Sequence, residues 1–246
     1  MRKFGLIGFP LPHSLSPAYF SKKFDIEGHA DCSYKAFPIK SIEELTSLLA
    51  DNPELEGLNV TIPYKKEVLP FLHESTDAVK QTGACNCIRI QNKILTGYNT
   101  DVIGFEKSLL PNLTNAHSKA LILGTGGAAA AVEFVLKKLQ IDFLFVSRNS
   151  QPGKSNLTYK EVSGKILNEY KLIINTTPLG MYPNIEECTD ILYEYLTKDH
   201  YLYDLVYNPE QTLFLKKGSE KGAITKNGSD MLIIQAEESW EIWNAV

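Results

Sequence analysis

The feature that most restricts this chain is a glycine turn, Gly124-Thr125-Gly126-Gly127-Ala128-Ala129, set between two different hydrophobic periods. Upstream, Ala120–Leu123 is a short continuous apolar run, as expected of a strand buried on both faces. Downstream, Val132, Val135, Leu136 and Leu139 recur at i, i+3, i+4 and i+7, one face of a helix. In a strand–turn–helix of this kind Gly124 permits the tight turn and Gly126 lets the backbone approach a pyrophosphate. Ala129 takes the third position, where a small side chain lets helix pack on strand. The free N–H groups of the first helical turn and the helix dipole then favour a diphosphate. A bare Gly/Ala-rich turn is the competing reading, and the flanking strand and helix weigh against it.

An NAD site places Asp or Glu at the end of the second strand, about 20 residues on. Here that strand ends Val146-Ser147-Arg148-Asn149. Glu133 falls too early, inside the helix, and Asp142 stands at the wrong end of the strand. A carboxylate repels a 2′-phosphate, whereas a guanidinium pairs with it in a fork. Arg148 therefore points to NADP over NAD, its alternative being a solvated loop charge.

At 246 residues the chain has room for one or two domains. Strand-like and helix-like runs alternate on both sides of the breaker cluster Pro111–Asn115, which predicts two α/β lobes. In the first half, strands are expected at Phe4–Phe9, Tyr34–Phe37 and Leu58–Ile62. Ser16 reads as the N-cap of a helix with Pro17 at its first position, and Ser41-Ile42-Glu43-Glu44 as a capping box. Pro63 opens a turn of helix carrying Lys65 and Lys66. Cys85–Ile90 and Ile94–Tyr98 form a hairpin across Gln91-Asn92, and Asn99-Thr100-Asp101 caps a helix running to about Leu110. In the second half, strands are expected at Phe143–Val146, Leu172–Ile174 and Tyr201–Leu205, while Ser150–Lys165 shows no helical period. The segment Ser229–Val246 is amphipathic, with Leu232, Ile233, Ala236, Trp240 and Trp243 on one face and Gln235 at its margin.

The net charge of 25 − 29 = −4 supplies no general positive field, which argues against nucleic acid as a partner. The longest charge-free apolar run in the middle, Ala120–Val132, has 13 residues, short of the ~20 of a membrane span. Arg2–Phe9 faintly imitates a signal peptide, but Pro10 and Pro12 break the run, and a buried first strand is the better reading. Cys85 and Cys87 are the only close pair of cysteines, and neither a His nor a second pair completes a zinc pattern beside them. Reduced cysteines, a cytoplasmic location and no metal are the expectation.

An enzyme that reduces a carbonyl with a nicotinamide needs a group to protonate the nascent alkoxide and groups to hold the substrate. The first half offers Ser14, Ser16, Asn59, Thr61, Lys65, Asn86 and Asp101 at strand ends, where ligands gather in open α/β sheets. Lys65 stands in the expected first helical turn, where the dipole disfavours a cation. Taken singly, Lys65 reads as a surface lysine and Asp101 as a helix N-cap.

Taken together, the strings resemble the shikimate dehydrogenase family. They are Ser14-Leu15-Ser16-Pro17, Asn59-Val60-Thr61-Ile62-Pro63-Tyr64-Lys65, Gly83-Ala84-Cys85-Asn86, Gly97-Tyr98-Asn99-Thr100-Asp101 and the Gly124–Ala129 turn. Asn175-Thr176-Thr177-Pro178-Leu179-Gly180-Met181, Tyr203-Asp204-Leu205-Val206-Tyr207-Asn208-Pro209 and Asn227-Gly228-Ser229-Asp230-Met231-Leu232 with Gln235 complete the set, in order over nearly the whole chain. The resemblance implies an N-terminal α/β substrate domain (1–101), a Rossmann-type NADP domain with its linker helix (102–228), and a C-terminal helix (229–246) returning to the first. It implies reversible reduction of 3-dehydroshikimate to shikimate with NADPH, in aromatic amino acid biosynthesis.

By that likeness Ser14, Ser16 and Tyr207 hold the substrate carboxylate, and Asn59, Thr61, Asn86, Asp101 and Gln235 belong to the substrate site around its ring hydroxyls. Lys65 exchanges the proton, paired with Asp101. Gly124, Thr125, Gly126, Gly127, Ala128, Arg148, Thr176, Val206, Gly228 and Met231 bind the cofactor. Three departures stand out. The family's Asn-Arg-Thr reads Ser147-Arg148-Asn149 with the next cation only at Lys154, the following segment is short and polar, and Asp230 replaces a usual glycine. The alternatives are an NAD-preferring quinate/shikimate dehydrogenase and a non-catalytic shikimate-binding sensor. A small-molecule substrate, a monomer or weak homodimer, and no membrane or nucleic-acid partner complete the expectation.

Overall fold

The computed structural model describes residues 1–11, 14–149 and 156–245. It divides into two compact units, Met1–Thr100 with Gln235–Val246, and Asp101–Ile234.

The first unit contains β1 (Arg2–Gly8), α1 (Ser16–Glu27), β2 (Cys32–Pro38), α2 (Glu44–Asp51), β3 (Leu55–Val60), β4 (Glu74–Ser75), α3 (Asp77–Thr82), β5 (Cys87–Gln91) and β6 (Ile94–Tyr98). Their sheet has the order β2-β1-β3-β5-β6-β4. β1 runs parallel to β2 and β3, whereas β5 is antiparallel to β3 and β6. Parallel and antiparallel strands thus bring the ends of β1, β3 and β6 and the start of β5 to one edge. Thr61 N–H donates to Ile7 O at 2.9 Å, Val60 N–H to Asn86 O at 2.9 Å and Asn86 N–H to Tyr98 O at 3.1 Å.

Side-chain alternation along the strands gives this sheet two apolar faces. Ile7, Leu45, Leu58, Val68 and Ile88 fill one, and Phe4, Leu6, Phe20, Phe24, Trp240 and Trp243 the other. Cys85 belongs to the first cluster and Cys87 to the second, and all four cysteines are free. Phe4 stacks on Trp243 at 4.8 Å, and the Trp243 indole N–H donates to Ile88 O at 3.0 Å.

The chain continues with α4 (Thr100–Leu109), β7 (Lys119–Leu123), α5 (Gly127–Lys138), β8 (Asp142–Ser147), β9 (Asn156–Thr158), α6 (Gly164–Glu169), β10 (Leu172–Asn175), β11 (Tyr201–Asp204), α7 (Leu213–Ser219), β12 (Ile224–Lys226) and α8 (Ser229–Asn244). The second sheet, β12-β11-β10-β7-β8-β9, is parallel throughout. Counted within the unit this is the doubly wound order 3-2-1-4-5-6, and its reversal falls between β7 and β10. Such sheets bind ligands beyond the carboxyl ends of the strands at that reversal. Among the described residues, no helix is long and apolar enough to cross a membrane.

Several local expectations are corrected. The hairpin loop is Asn92-Lys93, one residue later than expected, because both residues take left-handed φ values of 52° and 66° and Gln91 pairs with Ile94. Only half of the capping box forms. Glu44 accepts from Ser41 N–H at 3.1 Å, but the Ser41 hydroxyl turns to Glu43. Ile233 is 47% exposed, and Ser239 joins Ala236, Trp240 and Trp243 on the buried face of α8. The polar stretch after Arg148 holds β9 and the start of α6, too short to show a period, while residues 150–155 lie outside the described ones.

Two buried histidines repeat one device in the second unit. The N–H groups of Thr114 and Thr197 each donate to Nδ1 of the histidine three residues on, at 3.0 Å. That leaves the proton on Nε2, and in His200 it is donated to Leu167 O at 2.8 Å. Burial lowers the pKa of both His117 and His200. Their contribution to stability is complete above the ordinary histidine pKa. It is lost as pH falls, because the unfolded chain takes up protons the folded one resists. Urea unfolding should show His200→Leu destabilised by about 2 kcal/mol at pH 7.5, with the buried Leu167 carbonyl and the Thr197 N–H both losing their partner. The variant should also lose part of the wild-type decline between pH 7 and 5.

Candidate functional site

In the first unit the expected substrate residues gather at the edge defined above. Ser14 and Ser16 follow β1, Asn59 and Thr61 end β3, and Asn86 precedes β5. Lys65 is tied to the same edge by its carbonyl, which accepts from Cys85 N–H at 2.8 Å. Its neighbour Tyr64 is buried and donates to Ile39 O at 2.8 Å, anchoring the segment. Val68 N–H donates to Tyr64 O at 3.0 Å, so Lys65 and Lys66 lie in a single helical turn, as expected, but residues 62–68 extend it into no α-helix and the dipole argument is correspondingly weak.

Ser16 does not cap α1. The residue before it, Leu15, already has helical angles and makes no side-chain cap, so Ser16 is the first helical residue. Asp101 is likewise inside its helix, in the first turn of α4, where a carboxylate suits the dipole. The α4 N-terminus is capped from a distance instead. Thr100 N–H donates to Asn86 Oδ1 at 2.7 Å, while the Asn99 amide is turned to Thr82 Oγ1 and Ala84 O.

Asn59 is 5% exposed and its amide is spent inside the protein. Nδ2 donates to Ser239 Oγ at 2.9 Å and Asn86 O at 3.3 Å, and Oδ1 accepts from the Tyr34 hydroxyl at 2.8 Å. Gln235 stands one turn before Ser239 and accepts that serine's proton on its carbonyl at 2.8 Å.

In the second unit the glycine turn sits at the sheet reversal. Gly124 has φ +106°, and a Cβ there would lie 2.8 Å from Thr176 Oγ1. Gly126 and Gly127 have nothing within 4 Å of a built Cβ, and with Ala128 they are exposed at the start of α5. Ala129 is buried against the strand. Thr125 completes the turn, and Thr176 donates both its N–H and its hydroxyl to Leu123 O. Arg148 is exposed beyond β8, close enough to influence Tyr159, whose burial pushes its pKa up to about 12. Lys154 lies outside the described residues.

Asp204 was not among the expected site residues, yet it organises this end of the sheet. Fully buried, it accepts from Asn175 Nδ2 at 2.9 Å, Val206 N–H at 3.0 Å and Thr212 Oγ1 at 2.6 Å. Asn175 Oδ1 in turn accepts from Thr177 N–H and hydroxyl. Gly228 N–H donates to Val206 O, and a Cβ at Gly228 would lie 2.2 Å from Leu205 O. Tyr182 N–H donates to Asn208 O at 3.1 Å, beside Tyr207. Asp230 is paired with Lys226 one turn earlier, so its charge is locally compensated, and Met231 follows it half-buried. A lone carboxylate closing the apolar run Tyr201–Tyr203 was the signal for Asp204 in the sequence.

The fold and these ends define a two-unit α/β protein of the dinucleotide-binding kind. Residues 6–88 match the family model of the shikimate dehydrogenase substrate binding domain. The shikimate dehydrogenase (NADP(+)) of Carboxydothermus hydrogenoformans is 36% identical, over 98% of this chain and 91% of its own. A solved shikimate dehydrogenase in complex with NADP+ is 32% identical with a TM-score of 0.87, covering 100% of this chain and 91% of that one. The quinate dehydrogenase of Corynebacterium glutamicum in complex with NAD is 28% identical with a TM-score of 0.88, covering 100% and 94%. The chain belongs to the shikimate dehydrogenase family.

Burial raises the pKa of Asp204 to about 6. The folded state therefore binds a proton on falling through pH 6 that the unfolded chain takes up only near 4, and Asp204 adds stability as pH falls across that window. This is opposite in sign to the histidines, so it is read as a difference. Asp204→Asn should remove that component of the wild-type curve between pH 7 and 4.5 in urea unfolding.

Proposed function

We propose that this protein is an NADP-dependent shikimate dehydrogenase, an oxidoreductase that reversibly reduces 3-dehydroshikimate to shikimate in aromatic amino acid biosynthesis. The observation that carries the reading is the fastening of Lys65 to the edge where Ser14, Ser16, Thr61 and Asn86 also end. In this reading the hydroxyls of Ser14 and Ser16, with Tyr207, hold the substrate carboxylate. Thr61, Asn86, Asp101 and Gln235 hold its ring hydroxyls, and Asn59 braces them from beneath.

The residues of the second unit fit NADP. Gly126 and Gly127 leave open space before the first turn of α5, which suits a diphosphate. Arg148 would pair with the 2′-phosphate, and Thr125, Ala128, Thr176, Val206, Gly228 and Met231 would complete the cofactor site. The bound cofactor supplies a hydride to the carbonyl carbon. The Lys65 ammonium gives its proton to the carbonyl oxygen as negative charge develops there, and takes it back in the oxidative direction. In this reading Asp101 orients the ammonium. Asp230, paired with Lys226, leaves no bare carboxylate to oppose a pyridinium. The protein acts in the cytoplasm as a monomer or weak homodimer, on a small-molecule substrate.

Purified protein should consume NADPH with 3-dehydroshikimate. Lys65→Ala should lower kcat by ~10²–10⁴ with shikimate binding still measurable. Shikimate binding without turnover in the wild type would favour a sensor. The likeness to an NAD-bound quinate dehydrogenase makes cofactor choice a separate test. kcat/KM should favour NADPH over NADH, and Arg148→Ala should narrow the ratio; equal values in the wild type would overturn the NADP assignment.

A further inference from the structure

Beneath the substrate edge of the first unit runs a buried chain of hydrogen bonds whose direction is fixed by its acceptor-only members. Asn86 O and Gln235 O are backbone carbonyls and can only accept. Since Asn59 faces Asn86 O, its amide nitrogen must lie on that side, and its second hydrogen goes to Ser239 Oγ at 2.9 Å. Ser239 then sends its own proton to Gln235 O at 2.8 Å. Asn59 Oδ1 is left to face Tyr34, so the phenol must donate, at 2.8 Å.

The other branch is set in the same way. Thr100 N–H needs Asn86 Oδ1 at 2.7 Å, which turns Asn86 Nδ2 toward Thr100 Oγ1 at 3.0 Å and leaves one amide hydrogen over. Thr100 Oγ1 also lies 3.4 Å from Ser239 Oγ and 3.5 Å from Gln235 Oε1. Tyr34, Thr100 and Ser239 are all buried, and the Tyr34 ring is clamped on Phe20 at 4.4 Å and 14°. Rotation of any one group would leave a buried donor or acceptor unpaired.

We propose that Tyr34 and Ser239 are positioning residues for substrate recognition. Both hold the Asn59 amide at the end of β3, and Ser239, through Thr100, also bears on the side chains of Asn86 and Gln235, so together they fix the positions from which this edge meets the ligand. This rests on the proposed substrate site, and it adds two residues that need not touch the substrate. The arrangement also ties the two branches together. Ser239 meets both Asn59 and Thr100, so loss of its hydroxyl unpairs the Asn59 amide and removes a neighbour of Gln235 at once.

The test uses the whole protein with Tyr34→Phe, Ser239→Ala and the double variant. Readouts are shikimate Kd by calorimetry, KM and kcat with shikimate and NADP+, and Tm. Each single variant should raise shikimate Kd and KM about tenfold. KM for NADP+ should stay at the wild-type value, and kcat should fall less than KM rises. The double variant should cost clearly less than the product of the two, since both act through Asn59. Ser239→Ala removes only an oxygen from a helix, so it reports even where Tyr34→Phe folds poorly. Unchanged shikimate Kd in folded Ser239→Ala, or fully multiplicative effects, would overturn the inference while wild-type turnover leaves the proposed function standing. A wild type that neither binds nor turns over shikimate would overturn both.

Discussion

A strand buried on both faces ends in polar groups that water does not reach, and each must find a partner in the chain. Both units meet this constraint with one side chain placed where several strand ends converge. In the first unit it is Asn59, whose amide spans Tyr34, Asn86 and Ser239. In the second it is Asp204, whose carboxylate gathers Asn175, Val206 and Thr212. The groups so joined are separated along the chain by up to 180 residues, as between Asn59 and Ser239. Loops at these edges are therefore held by buried polar contacts, which are costly to leave half made.

The two hubs differ in chemistry because their tasks differ. A neutral amide both donates and accepts, and it can pass direction from one hydroxyl to the next. An ionised carboxylate only accepts, so it draws three donors inward and pins their segments. The cost of burying that charge appears in the raised pKa of Asp204. The buried histidines answer the same constraint with one acceptor and one donor each, and they remain neutral for it.

What was legible in the sequence follows from the range of each interaction. The glycine turn, the strands around it and α5 rest on neighbours within a few residues, and their period is plain. The second sheet's order is consistent with that reading. Errors arose where a distant partner replaced a local one. Ser16 has the residue type of an N-cap, but Leu15 before it is already helical, so the serine falls inside α1. Asn99 and Asp101 look like caps for α4, but Asn86 serves that end from the start of another strand. The helical turn expected after Pro63 does form, but Cys85 and Tyr64 fasten the segment and it goes no further. The hairpin slipped by one residue because Asn92-Lys93 lacks the glycine that marks a left-handed pair. Tyr34 and Ser239 lie outside every motif, and Thr100 and Asp204 lie inside motifs that do not show what they join, since these roles exist only in three dimensions.

The glycines separate structural from ligand-directed demands within one turn. Gly124 is required by its own surroundings: its φ is left-handed and a Cβ would strike Thr176. Gly228 is required in the same sense by the Leu205 carbonyl. Among the described residues nothing makes such a demand at Gly126 or Gly127, where added Cβ atoms would meet open space and where both residues are exposed at a helix start. Gly126 serves as the N-cap of α5, where glycine is well suited, but Gly127 opens the helix itself, where most side chains are better than glycine, so packing alone gives no reason for it. What their absence of side chains provides is bare N–H groups facing outward at the sheet reversal. That geometry has a use only when something anionic comes close to the backbone.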